Sequence, residues 1–314
     1  MKILLPDSVD LAALKLPPEA TGVFYDIHQS VPDSDIDADA LVVWGNPGRQ
    51  LRDAAARLAK LRWVQTLAAG PDMVLAAGFG PDVVITSGAG LHDLTVAEHT
   101  LALVLAAARQ LPELTRAQIG HRWVAEAGGL RPVDDPDHFR TLRAAHVVIW
   151  GFGGIAATLA PYLTTLGARV TGVARSAGTR HGYPVVTAGD LPELLPTADV
   201  LINILPATAA TRHAVDAKVL ALLPPKAWFV NVGRGATVDE TALLAALRSG
   251  ALAGAALDVF DREPLPATSG LWDEPNVIIT PHSAGGRPIG AAGLIRANLD
   301  ALVAGRPLRN VVTS

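Results

Sequence analysis

Val147-Val148-Ile149-Trp150-Gly151-Phe152-Gly153-Gly154-Ile155-Ala156 is the stretch whose reading decides the fold. Four apolar residues of strand character run into a glycine-rich turn, and the segment beyond it, Ile155 to Leu166, has the apolar spacing of a helix. In that setting the pattern GxGxxA carries a physical meaning. The first glycine permits a tight turn, the second lets a pyrophosphate approach the backbone, and a small residue at Ala156 lets helix and strand pack closely. The N–H groups that open the helix then bind the anion. Gly151, Gly153, Gly154 and Ile155 are therefore candidate dinucleotide-binding residues. The bland alternative, a glycine turn with no ligand, explains less of the flanking strand and helix.

Outward from this stretch the same rhythm continues. Val170 to Val173, Val200 to Leu205, Phe229 to Val232, Ala255 to Val259 and Val277 to Thr280 read as buried parallel strands, with Ala217 to Leu223 and Glu240 to Arg248 helical between them. Such alternation builds a doubly wound sheet. A weaker version occupies the first part: Ile3 to Leu5, Val23 to Tyr25, Leu41 to Trp44, Trp63 to Thr66 and Val83 to Thr86, with Gln50 to Lys60 helical. The expected fold class is α/β, with two doubly wound (Rossmann/flavodoxin-like) parallel-sheet domains. The stretch Pro132 to Asp137 reads as a surface loop. A helical segment, Ile289 to Val303, follows the last strand; if it returns to the first domain, that domain is discontinuous.

Composition bounds the rest. At 314 residues, half of them hydrophobic and 18% charged, the chain has enough apolar side chain for two cores. A formal net charge of −4 offers no global attraction to nucleic acid or to anionic membranes. There is no cysteine, so disulfides, thiolate nucleophiles and cysteine metal sites are excluded, which fits a cytoplasmic protein. The chain opens on the strand-like Lys2 to Leu5 and shows no secretory signal, so export is not expected. Leu101 to Ala108, the most apolar helical stretch, is far below the roughly 20 residues needed to span a bilayer.

An NAD-selective site usually has a carboxylate after the second strand, where it binds the adenosine ribose diol. Here that strand runs into Ala174, Arg175 and Ser176. A guanidinium and a hydroxyl suit a 2′-phosphate that a carboxylate would repel. The cofactor expectation is accordingly NADP(H) preferred, with NAD possible. Arg180 and His181 either add positive potential or are simply solvated.

Three motifs lie just past three successive strands: Asn231 to Gly235, Ala256 to Pro264, and Thr280 to His282. In a parallel sheet these ends share one side, the side on which open α/β sheets bind ligands. Arg234, Glu263 and His282 can therefore meet there as a catalytic set. Arginine can hold a 2-oxo acid carboxylate and polarise its carbonyl. Histidine is the side chain most easily poised to protonate an alkoxide near neutral pH, and a carboxylate beside it orients it and favours its charged form. Singly, each has a bland reading: a surface arginine, a turn glutamate, a core histidine. Together, in a chain that carries the glycine loop, they point to hydride transfer.

These motifs, with Val96-Ala97-Glu98-His99 and Leu271 to Gly285, resemble the D-isomer-specific 2-hydroxyacid dehydrogenase family over most of the chain, and Ala174 resembles its NADP-preferring glyoxylate/hydroxypyruvate reductase branch. The resemblance implies that Arg234, Glu263 and His282 are catalytic, that Asp258 contacts the nicotinamide amide, and that Leu205 and Pro206 lie near the adenosine moiety, with Val232 also at the cofactor. It implies a substrate loop at Ala68, Ala69 and Gly70, which joins Arg234 in holding the substrate carboxylate. It further implies a dinucleotide-binding domain over 95–285, a discontinuous substrate domain over 1–94 and 286–314, a cleft between them, and a homodimer. No long C-terminal extension follows, so an amino-acid-sensing regulatory domain is not expected.

The remaining candidates are weaker. Trp44 either walls the substrate pocket or packs the core, and Trp272 is a substrate-binding or inter-subunit candidate as much as a packing one. Arg287 either reads a second anionic group or is solvated. His92, His99 and His121 lack metal-type spacing, so no metal is expected. Two rivals to a 2-oxo acid reductase stand: a dinucleotide-binding corepressor or scaffold on the same fold, and formate or phosphite oxidation.

Overall fold

The computed structural model describes residues 1–129, 135 and 137–312. Of the loop expected over Pro132 to Asp137, only Asp135 and Asp137 are among them. The backbone divides into two compact units, Met1–His92 with Arg287–Ser314, and Asp93–Gly286.

The first unit is a five-stranded sheet of β1 (Lys2–Pro6), β2 (Thr21–Tyr25), β3 (Ala40–Val43), β4 (Trp63–Thr66) and β5 (Val84–Thr86). Its order is β2-β1-β3-β4-β5, with every pair parallel, the order of flavodoxin-like sheets. Alternation along the strands covers both faces. Leu4, Leu41, Val43 and Val64 point into one core with Leu51 and Ala54 of the helix Gly48–Arg57. Their neighbours Ile3, Leu5, Ala40, Val42 and Trp63 point into another. The second core is closed by Ala291, Ile295 and Leu299, which recur every four residues on the helix Ala291–Val303. The C-terminal helix thus belongs to the first unit because its apolar stripe completes that face.

The second unit is an eight-stranded sheet: β6 (His146–Trp150), β7 (Arg169–Val173), β8 (Gly178–Arg180), β9 (Tyr183–Val186), β10 (Val200–Asn203), β11 (Trp228–Asn231), β12 (Gly254–Leu257) and β13 (Val277–Ile279). Its order is β13-β12-β11-β10-β6-β7-β9-β8. All pairs are parallel except β8 with β9. The chain reverses its direction of growth between β6 and β10, which makes the crevice there the switch point where such sheets bind dinucleotides. Val147, Ile149, Val200, Ile202 and Val230 face the helices Asp93–Ala108 and Gly154–Thr165. Val148, Trp150, Leu201, Phe229 and Leu257 face the opposite core, with Leu243 and Leu247 of the helix Glu240–Arg248.

Both sheets are the doubly wound parallel sheets expected. The differences are local. The β8–β9 hairpin went unread because β8 is three residues without an apolar side chain and β9 is four residues interrupted by Pro184, both too short for a periodic signal. The helix expected over Ala217 to Leu223 stops at Leu220, consistent with the pair Pro224 and Pro225 that ends helical backbone just beyond. No helix among the described residues is long and apolar enough to cross a membrane.

Candidate active site

The glycine turn is shaped by what lies across the switch point. Gly151 has φ +102°, and a Cβ there would stand 2.6 Å from the Ile204 carbonyl oxygen at the end of β10, so only glycine lets the β6 turn close on its neighbour. Gly153 faces open space, with nothing within 4 Å of a Cβ built on it, which leaves its backbone approachable. Gly154 packs instead against the Asp93 carboxylate. The helix Gly154–Thr165 has glycine at its N-cap and no acidic residue in its own first turn, and the Asp93 carboxylate beside Gly154 marks its start as a place where negative charge is accepted. These features fit a dinucleotide pyrophosphate. Ile155 packs on the core beside the turn, and Val232, only 6% exposed, is a core side chain whose backbone alone can meet a ligand.

At the end of β7, Arg175 and Ser176 are exposed. The unexpected hairpin returns Arg180 to the same spot: its Nη2 donates to Ser176 Oγ at 2.7 Å and to the Ser176 carbonyl at 3.2 Å. His181 sits in the hairpin turn with φ +51°. Leu205 and Pro206 follow β10, with the Leu205 N–H donating to Asn203 Oδ1 at 3.3 Å.

The structure brings Glu263 and His282 together. Glu263 follows β12 and His282 follows β13, and His282 Nδ1 stands 2.7 Å from Glu263 Oε2. Glu263 Oε1 is held in turn by the Phe260 N–H at 2.9 Å. The hydrogen bond with Glu263 raises the His282 pKa, against burial, which lowers it; Arg234 lowers it and Asp258 raises it by charge. Burial pushes the Glu263 carboxyl up, but the bonds from His282 and Phe260 and the charges of His282 and Arg234 hold it below the usual range. Nδ1 faces the carboxylate, so Nε2 is the atom left to exchange a proton.

Arg234 follows β11 on a loop fixed from beneath. Asn203 Nδ2 donates to Asn231 Oδ1 at 3.0 Å and to Thr237 Oγ1 at 2.7 Å, and Thr237 Oγ1 donates to the Arg234 carbonyl at 2.6 Å. Gly235 then lies against the backbone of Phe260 and Asp261, where any side chain would collide, which brings the Arg234 and Glu263 loops into contact. Arg234 Nη1 donates to the Gly233 carbonyl at 2.7 Å.

Asp258 is 1% exposed, and its carboxylate bonds inward: Thr280 Oγ1 donates at 2.6 Å, the Ser283 N–H at 2.9 Å and the Ala284 N–H at 3.1 Å. Burial would raise its pKa, but these bonds and one from His99 bring it down to about 2. Sequence reasoning missed Asn203, Thr237, Thr280 and His99 as site supports. Thr280 and His99 lay inside motifs that carried the resemblance but with no role assigned to them, and the signal at Asn203 and Thr237 was only a polar residue at or beyond the carboxyl end of an apolar strand.

The remaining candidates lie elsewhere. Trp272 is half exposed in the turn Gly270–Asp273, its indole N–H donating to the Pro266 carbonyl at 3.0 Å. In the first unit, Ala68, Ala69 and Gly70 follow β4, and the Ala68 N–H donates to Thr66 Oγ1 at 3.2 Å. Trp44 stacks on His92 at 5.3 Å, while His92 Nε2 meets the Leu67 carbonyl at 2.8 Å. Arg287 falls in the first unit, immediately past its boundary. Among the described residues no group of three or more His, Asp or Glu is arranged to hold a metal.

A Rossmann-type sheet with a glycine-loop helix, and a carboxylate-paired histidine at its carboxyl ends, defines a dinucleotide-dependent oxidoreductase type of site. The family described as D-isomer specific 2-hydroxyacid dehydrogenase, NAD binding domain, matches residues 101–284, and the chain belongs to that family. It is 34% identical over 289 residues to glyoxylate/hydroxypyruvate reductase A of Klebsiella pneumoniae, covering 88% of this chain and 86% of the relative. It resembles the D-isomer specific 2-hydroxyacid dehydrogenase of Xanthobacter autotrophicus solved with NADPH and MES, with 33% identity, a TM-score of 0.82, and coverage of 100% of this chain and 98% of that one. It also resembles the NADPH-dependent glyoxylate/hydroxypyruvate reductase of Sinorhizobium meliloti solved with NADP and sulfate, with 28% identity, a TM-score of 0.82, and coverage of 99% and 97%.

Proposed function

We propose that this protein reduces a small 2-oxo acid of the glyoxylate or hydroxypyruvate type to the D-2-hydroxy acid, with NADPH as the preferred donor. The observation that carries the reading is the 2.7 Å pairing of His282 Nδ1 with Glu263. The bound nicotinamide supplies the hydride. Arg234 holds the substrate carboxylate and polarises the carbonyl, with backbone N–H groups of the Ala68 to Gly70 loop as further donors. His282 Nε2 gives its proton to the carbonyl oxygen as charge develops there, and Glu263 stabilises the imidazolium before that transfer. Asp258, Leu205, Pro206 and the Val232 backbone serve the cofactor, and Trp272 borders the substrate. Cofactor preference rests on Arg175 and Ser176, whose guanidinium and hydroxyl suit a 2′-phosphate.

The same reading makes the protein a cytoplasmic homodimer. Support for pairing comes from Leu111, Ile119 and Trp123, which stand 48%, 75% and 92% exposed along one stretch of the second unit. Absorbance assays of glyoxylate, hydroxypyruvate, pyruvate and phenylpyruvate with each cofactor test the proposal. Turnover with NADPH is expected on at least one. No turnover on the panel, or a clear NADH preference, overturns the reaction or the cofactor reading respectively. Arg175→Ala should weaken NADPH use roughly 10- to 100-fold, the worth of lost charge-assisted hydrogen bonds, and leave NADH use nearly unchanged.

A further inference from the structure

On the helix Asp93–Ala108, Thr95 and His99 stand four residues apart and so on one face. Both reach the loop that carries His282. Thr95 Oγ1 donates to the Gly285 carbonyl at 3.1 Å. His99 Nε2 lies 3.0 Å from Thr280 Oγ1 and 3.4 Å from Asp258 Oδ1.

Proton accounting gives this cluster a direction. An ionised carboxylate only accepts, so the single hydroxyl proton of Thr280 goes to Asp258 across 2.6 Å. Thr280 can then only accept from His99, which places a proton on His99 Nε2. The chain therefore runs from His99 to Thr280 to Asp258. Asp258 in turn holds three consecutive N–H groups: its carbonyl accepts from His282 at 2.8 Å, and its carboxylate from Ser283 and Ala284. His282 sits inside that grip with φ +51°, a left-handed backbone region uncommon for non-glycine residues.

We propose that His99 is a positioning residue for the reaction: by donating into Thr280 and Asp258 it keeps the loop, and with it the His282 imidazole, aligned on the substrate oxygen. The proposal rests on the reading of His282 as proton donor. A residue that only filled space would be replaced by leucine without kinetic consequence. A donor would be restored by glutamine, whose amide nitrogen reaches about as far as Nε2.

The test compares His99→Leu, His99→Gln and Thr280→Val, each checked for folding by circular dichroism and thermal melting. In His99→Leu, kcat is expected to fall by about 10- to 100-fold, the scale of a slight misalignment of reacting groups, with KM for NADPH and substrate little changed. The pH at which reductive kcat declines should move down as the pairing of His282 with Glu263 loosens. His99→Gln should recover most of kcat and restore the wild-type pH profile. In the Thr280→Val background, His99→Leu should cost little more, because the link is already cut. Equal kcat in leucine and glutamine variants, or a lower melting temperature with an unmoved pH profile, overturns the proposal. If His99→Leu does not fold, the Thr280→Val profile and the glutamine variant decide. His282→Ala is the control: substantial activity there sinks the reading of His282 itself, whereas an inactive His282→Ala beside a normal His99→Leu sinks only this inference.

Discussion

Two histidines stand at opposite strand ends of the eight-stranded sheet and behave in opposite ways. His282, beyond the carboxyl end of β13, is paired with a carboxylate, and that hydrogen bond raises its pKa. His146 opens the central strand β6, at the amino end of the sheet, and is 2% exposed. Its Nδ1 and Nε2 each meet a threonine hydroxyl, Thr197 and Thr171, at 3.0 Å. Burial, and then the charge of Arg169, lower its pKa. At His146 burial and Arg169 outweigh the Thr197 carbonyl and Asp199, which favour the proton, whereas at His282 a directly bonded carboxylate stabilises the imidazolium. One sheet therefore keeps one histidine neutral as structure and holds the other ready for proton transfer.

The largest effects should appear at the His282 end. His282→Ala and Arg234→Ala are each expected to cut turnover by about 10²- to 10⁴-fold while leaving the melting temperature close to wild type. A near-normal rate in either breaks the comparison. Glu263→Gln should follow, with kcat lower by about tenfold or more. Reduction needs His282 protonated, so reductive kcat falls as pH rises through the raised pKa; without the carboxylate that fall should occur at lower pH. Oxidation needs His282 neutral and should rise over the same interval. A pH profile unchanged in Glu263→Gln would show that the carboxylate does not set the histidine's charge.

Gly151→Ala probes the turn at the carboxyl end of β6, the strand that His146 opens. Its φ of +102° and the Ile204 carbonyl in its way predict a loss of about 1–3 kcal/mol in unfolding free energy, together with weaker NADPH binding by fluorescence titration. Unchanged stability and affinity would contradict the switch-point account. The smallest effect belongs to His146. Its folded pKa lies below its unfolded one, so its contribution is fully present above about pH 6.5 and declines as pH falls below that value. His146→Gln should flatten the acid side of the stability curve between pH 5 and 7, measured by urea unfolding. Identical slopes in the two proteins would remove His146 from the acid response.

How much of this was legible in the sequence depended on the kind of signal. β4 over Trp63–Thr66 and the helix Glu240–Arg248 were read to the residue, because both carry a strong local pattern with clear ends. The helix Asp93–Ala108 was read only in part, over Leu101 to Ala108. It is buried along much of its length, with Val96, Ala97, Leu103, Val104, Ala107 and Ala108 all covered, so the amphipathic alternation that marks a surface helix is weak. The β8–β9 hairpin has strands of only three and four residues, the second broken by Pro184, and is defined by pairing with β7, which local sequence does not report. In the site, Arg234, Glu263 and His282 stood out because their residue types follow strands. His99 did not, since a histidine on a helix has no local mark of what it touches 181 residues away.

The sequence by itself therefore determined the glycine turn, the parallel strands and the residue types at their ends, because these depend on local periodicity and on the side of the sheet a strand end must occupy. Only the tertiary structure decided that Glu263 and His282 are bonded, that Asp258 turns inward to hold Ser283 and Ala284, and that Arg180 returns to Ser176. Those contacts join residues on separate elements, and hydrogen-bond geometry at 3 Å is set by how the elements pack, a quantity no single segment encodes.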